Sequence, residues 1–200
     1  MGLTIHYSGS FRNDAHLKKM IDEIKDIVSI FNWKYKIYEE CFPNNSFEEK
    51  KYNQNVYGIS FTPPSSETIF VTFLSNRKMV SPINLRFFGK NSENPNEKYL
   101  YKISVKTQYC GVETHKLIIH LFLYLKEKYF QHFEMFDEGQ YWETFDEELL
   151  QNIFVRHTNL IDSFSTAIEN YPKKLDETFT NYFQRLIQLI NKKNRNDNLK

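Results

Sequence analysis

The sequence predicts an α+β fold: a mainly antiparallel sheet of five to seven strands covered by about four helices, the two C-terminal helices long and amphipathic. Three observations carry this expectation. Period-2 alternation recurs in short runs over the first half of the chain, three-four apolar spacing marks helices near residues 13–31 and 112–130, and from Phe145 onward only helical spacing remains. A chain of 200 residues is long enough for one self-sufficient core. With no internal repeat or linker, one domain is expected over residues 1–191. The segment 192–200, "KKNRNDNLK", has nothing to bury and is expected as a disordered polar tail.

Each element has its own signal. "LTIHYS" sets Leu3, Ile5 and Tyr7 against Thr4, His6 and Ser8, the pattern of a half-buried strand. Asn13 is the expected cap of a helix whose face carries Leu17, Met20, Ile21, Ile24, Ile27, Val28 and Phe31. "WKYKIYE" returns to alternation, with Trp33, Tyr35 and Ile37 on one side. The polar stretch 41–55 predicts a loop holding one helical turn after Ser46, since Ser46 and Glu49 have capping-box spacing. Three β-rich runs follow, "VYGISF", "TIFVTFL" and "PINLRFF", separated by the turn-rich "TPPSSE" and "SNRKMVS"; they predict an antiparallel meander. "GKNSENPNEK" is expected as a mobile loop and "YLYKISVKTQ" as a further strand. The helix over 112–130 is apolar on most of its circumference, so it is placed at the centre, lying on the sheet. "HFEMF" closes the strands. Two helices end the chain, one from Phe145 through Ile168 and one carrying Phe179, Tyr182, Phe183, Leu186, Ile187 and Ile190.

Composition excludes some function classes. The net charge of +1, from 26 basic and 25 acidic residues, gives no general attraction to nucleic acid or anionic lipid. The arginines (Arg12, Arg77, Arg86, Arg156, Arg185, Arg195) are scattered rather than clustered for phosphate recognition, which argues further against nucleic acid. "LIIHLFLYL" is too short to span a bilayer, and no secretory pattern opens the chain, so a soluble cytoplasmic protein without a membrane partner is expected. Cys41 and Cys110 sit in no ligand or redox pattern and are expected as reduced thiols, Cys41 an inert buried one. The 18 Phe and 13 Tyr must supply much of the core.

Two segments stand out as candidate binding loops. In "SVKTQYCGVETHK" a strand ending at Lys106 and Gln108 leads through Gly111 to a helix start. Free backbone N–H groups and the positive end of a helix dipole then lie near an amine and an amide, a setting suited to phosphate or carboxylate. The Walker and GxGxxG spacings are both absent. Within it His115, beside Glu113, is the best-placed histidine for acid-base work. His120 is five residues on, about 140° around the helix, so the two cannot share one metal; no metal and no cofactor are expected, and His120 is expected to hydrogen-bond in the core.

The second segment is "DEGQYWETFDEE". Thr144 and Glu147 form a T-x-x-E capping box, which explains its second half as a helix start. Its first half places Glu138, Gln140, Tyr141 and Trp142 together, rings beside a carboxylate and an amide, able to stack on a ligand and hydrogen-bond its edge. The competing reading packs Tyr141 or Trp142 inward ahead of the helix.

"HYS" at His6–Ser8 is a single copy of the H-x-Ser/Thr form that 2H phosphoesterases use twice. No second copy exists, which excludes that family, and no GxSxG elbow is present. No residue pattern identifies a family. The leading expectation is a binding protein that holds a small anionic or nucleotide-like ligand near the 106–115 turn and the 138–142 loop, through Lys106, Gln108, His115, Glu138, Gln140, Tyr141 and Trp142. One alternative is a hydrolase or phosphodiesterase using His115 as base with Glu113, Asp137 or Glu138. Another is an antitoxin- or immunity-like interaction module or homodimer, acting through the C-terminal helices.

Overall fold

A computed structural model describes residues 3–44, 52–89 and 99–197. The chain divides after Gln151 into two compact units, residues 1–151 and 152–200.

The first unit holds all the strands. These are β1 (Thr4–Phe11), β2 (Lys34–Ile37), β3 (Tyr57–Thr62), β4 (Ile69–Phe73), β5 (Ile103–Lys106) and β6 (Phe130–Asp137). They do not form the single five-to-seven-stranded sheet expected from the sequence. They form two three-stranded antiparallel sheets, one ordered β5-β1-β6 and the other β2-β3-β4. Alternation along a strand states which side chains share a face but not which strand lies alongside, so six correctly patterned runs fit one sheet or two equally well. β1 is central to the first sheet: Thr4 to Tyr7 pair with β5, Ile5 to Phe11 pair with β6. Beyond the end of β5, β1 takes up a new neighbour. Phe11 N–H donates to Arg77 O (2.8 Å) and Met79 N–H to Gly9 O (2.9 Å), so the turn after β4 docks where β5 stops. Tyr7 makes a second tie between the sheets, its hydroxyl donating to Phe70 O (2.9 Å) and accepting from Phe70 N–H (3.1 Å).

Three helices cover these sheets. α1 (Leu17–Ile30) buries Leu17, Met20, Ile21, Ile24 and Val28, the face its spacing predicts. It begins three residues later than an Asn13 cap implies, with His16 at the cap position, and Phe31 is left exposed. α2 (Pro82–Phe88) is a correction, because "PINLRFF" is a helix and not a strand. Ser81 Oγ accepts the Asn84 N–H at 3.0 Å and Pro82 occupies the first turn, where a missing N–H is harmless; capping chemistry overrides the β propensity of the run. α3 (Val112–Tyr129) lies against β6, burying Ile118, Ile119, Leu121, Phe122 and Leu125. Its Phe122 ring stacks on Phe133 and sits 4.6 Å from Tyr7. Glu23 on α1 ties to α3, accepting from Tyr124, Lys128 and Tyr129.

A short helix, α4 (Tyr141–Thr144), leads to α5 (Glu147–Asn170). The cap of α5 is Asp146, whose Oδ1 accepts the Leu149 N–H at 2.9 Å, rather than the predicted Thr144, which closes α4 by donating to Gln140 O. In the second unit α6 (Phe179–Asp197) extends into the segment expected as a tail. Ala167, Tyr182 and Leu186 form its core, and Arg185 grips Glu177 through Nε (2.9 Å) and Nη2 (2.8 Å), holding that carboxyl down at about 2. The helical turn expected after Ser46 falls outside the described residues, as does all of the loop expected at 89–98 except Gly89. Cys41 is exposed, not buried, and burial pushes the Cys110 thiol up to about 12. Among the described residues no helix is long and apolar enough to cross a membrane.

Candidate functional site

The two segments singled out in the sequence meet in space, and they meet inside the protein. β5 ends at Lys106, and Gly111, at φ 80°, supplies the sharp entry to α3 that a residue with a Cβ adopts reluctantly. This carries His115 inward. Thr107 Oγ1 lies 2.9 Å from His115 Nδ1, and Asp137 Oδ2, at the end of β6, lies 3.0 Å from His115 Nε2. An ionised carboxylate only accepts, so Nε2 donates to Asp137. Asp137 also accepts from the N–H groups of Gly139 (2.8 Å), Tyr141 (2.9 Å) and Trp142 (3.3 Å). Burial alone pushes this carboxyl up. The hydrogen bond and electrostatic pull of His115, with the Gly139 and Trp142 N–H groups, outweigh it and hold the pKa below the ordinary aspartate value.

Thr107, His115 and Asp137 thus stand in the order of a catalytic triad, yet all three are 0% exposed. Both carboxylate oxygens are engaged, by His115 and by the loop that Asp137 organises. The remaining predicted residues are placed around this brace. Tyr141 is buried, its hydroxyl 3.2 Å from His120 Nε2; His120 itself is exposed rather than in the core. Trp142 is half-buried, edge-on to Phe133 with Lys126 over its ring at 5.2 Å. Gln140, at φ 60°, turns the chain into α4 and is exposed. Gln108 Oε1 is buried with no partner among the described residues. Glu113 is 84% exposed and pairs with Lys116. Lys106 is exposed, and its backbone N–H donates to Glu67. Glu138 accepts the Thr4 N–H at 2.9 Å and lies 3.8 Å from His6 on the outer face of the first sheet.

An open site lies elsewhere, in a cleft of about 800 Å³ where the turn after β4 docks against β1 and β6. Two backbone irregularities build it. In the turn, Arg77 N–H donates to Leu74 O (2.8 Å) and Leu74 N–H to Lys78 O (3.0 Å), with Arg77 at φ 66°. That is the geometry of a three-residue hairpin loop whose left-handed position is ordinarily glycine. Opposite, the β1–β6 register shifts between Ser8 and Ser10, leaving an extra residue on β6, and His132 takes it up at φ 50°. Such bulges re-aim side chains. Gly9 faces the bulge, where a Cβ would come within 3.1 Å of Phe133.

The two positive-φ positions, where glycine is conformationally cheapest, therefore carry an arginine and a histidine, and both line the cleft. Lys78 lies beside Arg77, and among the described residues no carboxylate lines the cleft. Arg77 Cζ sits 4.7 Å from the centroid of Phe42 and its Nη1 donates to Arg12 O (3.1 Å); Lys78 Nζ sits 5.3 Å from that of Tyr101. Among the described residues neither cation is in a salt bridge; Asp14, next to the lining residue Asn13, pairs with Arg12. Partial burial draws the Arg77 pKa below the usual guanidinium value. Sequence reasoning reads "SNRKMVS" correctly as a turn but assigns it no role. Its only local signal is the adjacent pair Arg77-Lys78.

Among the described residues no group of three or more His, Cys, Asp or Glu side chains is placed to hold a metal ion. No protein-family model matches the chain, and no curated protein or solved structure matches it.

Proposed function

We propose that the protein binds a small anionic ligand in the cleft between the 74–78 turn, β1 and the β6 bulge. One observation carries the reading: among the described residues, Arg77 and Lys78 stand side by side in a concave site whose lining includes no carboxylate, and neither is in a salt bridge. A buried or half-buried cation is ordinarily paired. Aromatic rings hold these two in place, so their geometry is set before a ligand arrives and little side-chain entropy is lost on binding. Cleft size falls within the usual range for small-molecule sites, roughly 300–1,000 Å³.

The anionic ligand expected from the sequence is kept in this reading, but its place moves. His115 and Asp137 spend their polar groups on the interior of the 106–115 and 138–142 segments, while among the described residues the cleft's cations have no salt-bridge partner. Titration calorimetry with inorganic phosphate tests the proposal. Heat of binding is expected for the wild type, and Arg77→Met or Lys78→Met is expected to weaken affinity by about 10- to 100-fold, the worth of a hydrogen bond to a charged group. Phosphate binding that survives the double substitution unchanged overturns it.

A further inference from the structure

We infer that the ligand of this cleft is a sugar phosphate or another polyhydroxylated phosphate ester, not a nucleotide and not a bare oxyanion. The inference rests on the anion-binding reading and narrows it by the chemistry of the remaining lining.

A bare oxyanion needs only the cation pair, and it leaves most of an 800 Å³ cleft unused. That remainder is lined by hydroxyl and amide side chains. Among the described residues, Ser8, Asn13, Asn44 and Gln131 have no side-chain hydrogen-bond partner. Hydroxyls and primary amides both donate and accept. A surface of such groups complements ligand hydroxyls, which also do both, and it has no preference for a second charge.

Stacking on a nucleobase is best served by a large bare aromatic face, and among the described residues neither Phe42 nor Tyr101 offers one. Phe42 has Arg77 over its ring and packs against Phe11, Tyr57 and Phe73. Tyr101 has Lys78 over its ring and packs against the cluster of Leu74, Val80, Leu85 and Leu100. Each ring is committed to orienting a cation. Among the described residues the lining also holds no carboxylate, the usual acceptor for base amino groups and the usual ligand for a bound divalent cation.

Calorimetry with glucose 6-phosphate, inorganic phosphate, glucose and adenosine monophosphate separates the possibilities. Glucose 6-phosphate is expected to bind about tenfold or more tightly than inorganic phosphate, the gain from one or two added hydrogen bonds, and more tightly than the nucleotide. The paired substitution Asn13→Ala with Gln131→Ala is expected to erase that gain and leave phosphate affinity unchanged. If the sugar phosphate binds no better than phosphate, or the nucleotide binds best, this inference is overturned and the anion-binding reading survives. If none of the phosphate compounds binds, both fall. Glucose binding as tightly as glucose 6-phosphate also overturns both, because the cations then contribute nothing.

Discussion

The first unit contains two polar constellations put to opposite use. Around Asp137 one carboxylate meets an imidazole and three backbone N–H groups, all shielded from solvent, and the arrangement is closed. Around Arg77 and Lys78 two cations meet rings and a carbonyl but, among the described residues, no carboxylate, and the arrangement is open. Triad-like order and a buried histidine draw the eye to the first. Unspent charge points to the second. A polar group whose bonds are all satisfied internally stabilises the fold, whereas a desolvated charge left without its partner marks where an outside group belongs.

The contrast breaks most visibly at Asp137. Asp137→Ala leaves His115 and three N–H groups buried without an acceptor, and removing one partner of a buried pair costs about 3–5 kcal/mol. Chemical denaturation is expected to show a loss of that order, with the phosphate affinity of the remaining folded protein unchanged. A loss under about 1 kcal/mol, the scale of a surface pair, would mean that the network is no brace.

Gly139 probes the same closure by volume. A Cβ there meets Leu150 Cδ1 at 2.8 Å, His115 Nε2 at 3.0 Å and Asp137 Oδ1 at 3.1 Å. Gly139→Ala is therefore expected to cost about 1–3 kcal/mol, the usual price of overpacking. The effect has to appear in unfolding and not in ligand binding, because the cleft lies beyond the network.

Acid titration gives a subtler test. The Asp137 carboxyl is held below its ordinary value, so the unfolded chain takes up a proton at higher pH than the folded one. The stability this group contributes is fully present above the unfolded pKa, about 4, and is lost as pH falls from there toward the lower folded pKa. Unfolding free energy measured between about pH 5 and 2 is expected to decline in the wild type. Asp137→Asn is expected to be less stable at neutral pH and to show a shallower decline. Parallel curves for the two proteins would remove Asp137 from the account of acid unfolding.

Much of this was legible in the residues and some was not, for a consistent reason. Local periodicity locates the buried face of α1, the strand at Thr4–Phe11 and the central α3, because these depend on side chains a few positions apart. Ser81-Pro82 is an equally local signal, and it outweighs the β-rich composition of the six residues that follow. The meeting of His115 with Asp137 spans 22 positions, and that of Ser10 with Lys78 spans the gap between two sheets. Neither leaves a trace in spacing. The cleft is invisible for the same reason, since its lining comes from separate stretches of β1, the 42–44 loop, the 75–78 turn and β6. Positive φ at Arg77 and His132 is hidden too, because a sequence announces that conformation only when glycine or asparagine supplies it.

The smallest expected change in stability is the most informative about that cleft. At Arg77 the left-handed backbone costs an ordinary residue about 1–2 kcal/mol, which glycine avoids. Arg77→Gly also removes a ring contact worth about 0.5–1 kcal/mol and one hydrogen bond to Arg12 O worth about 1 kcal/mol, and it loosens the unfolded chain. These contributions oppose one another, so the unfolding free energy of Arg77→Gly is expected to lie within about 1 kcal/mol of the wild type, while phosphate affinity falls at least about tenfold. An arginine that can be exchanged for glycine at almost no cost to the fold, but not without losing the anion, is held there for its charge. If instead the substitution lowers stability by more than about 2 kcal/mol and leaves binding intact, Arg77 belongs with Asp137 as internal scaffolding, and the distinction between the two constellations disappears.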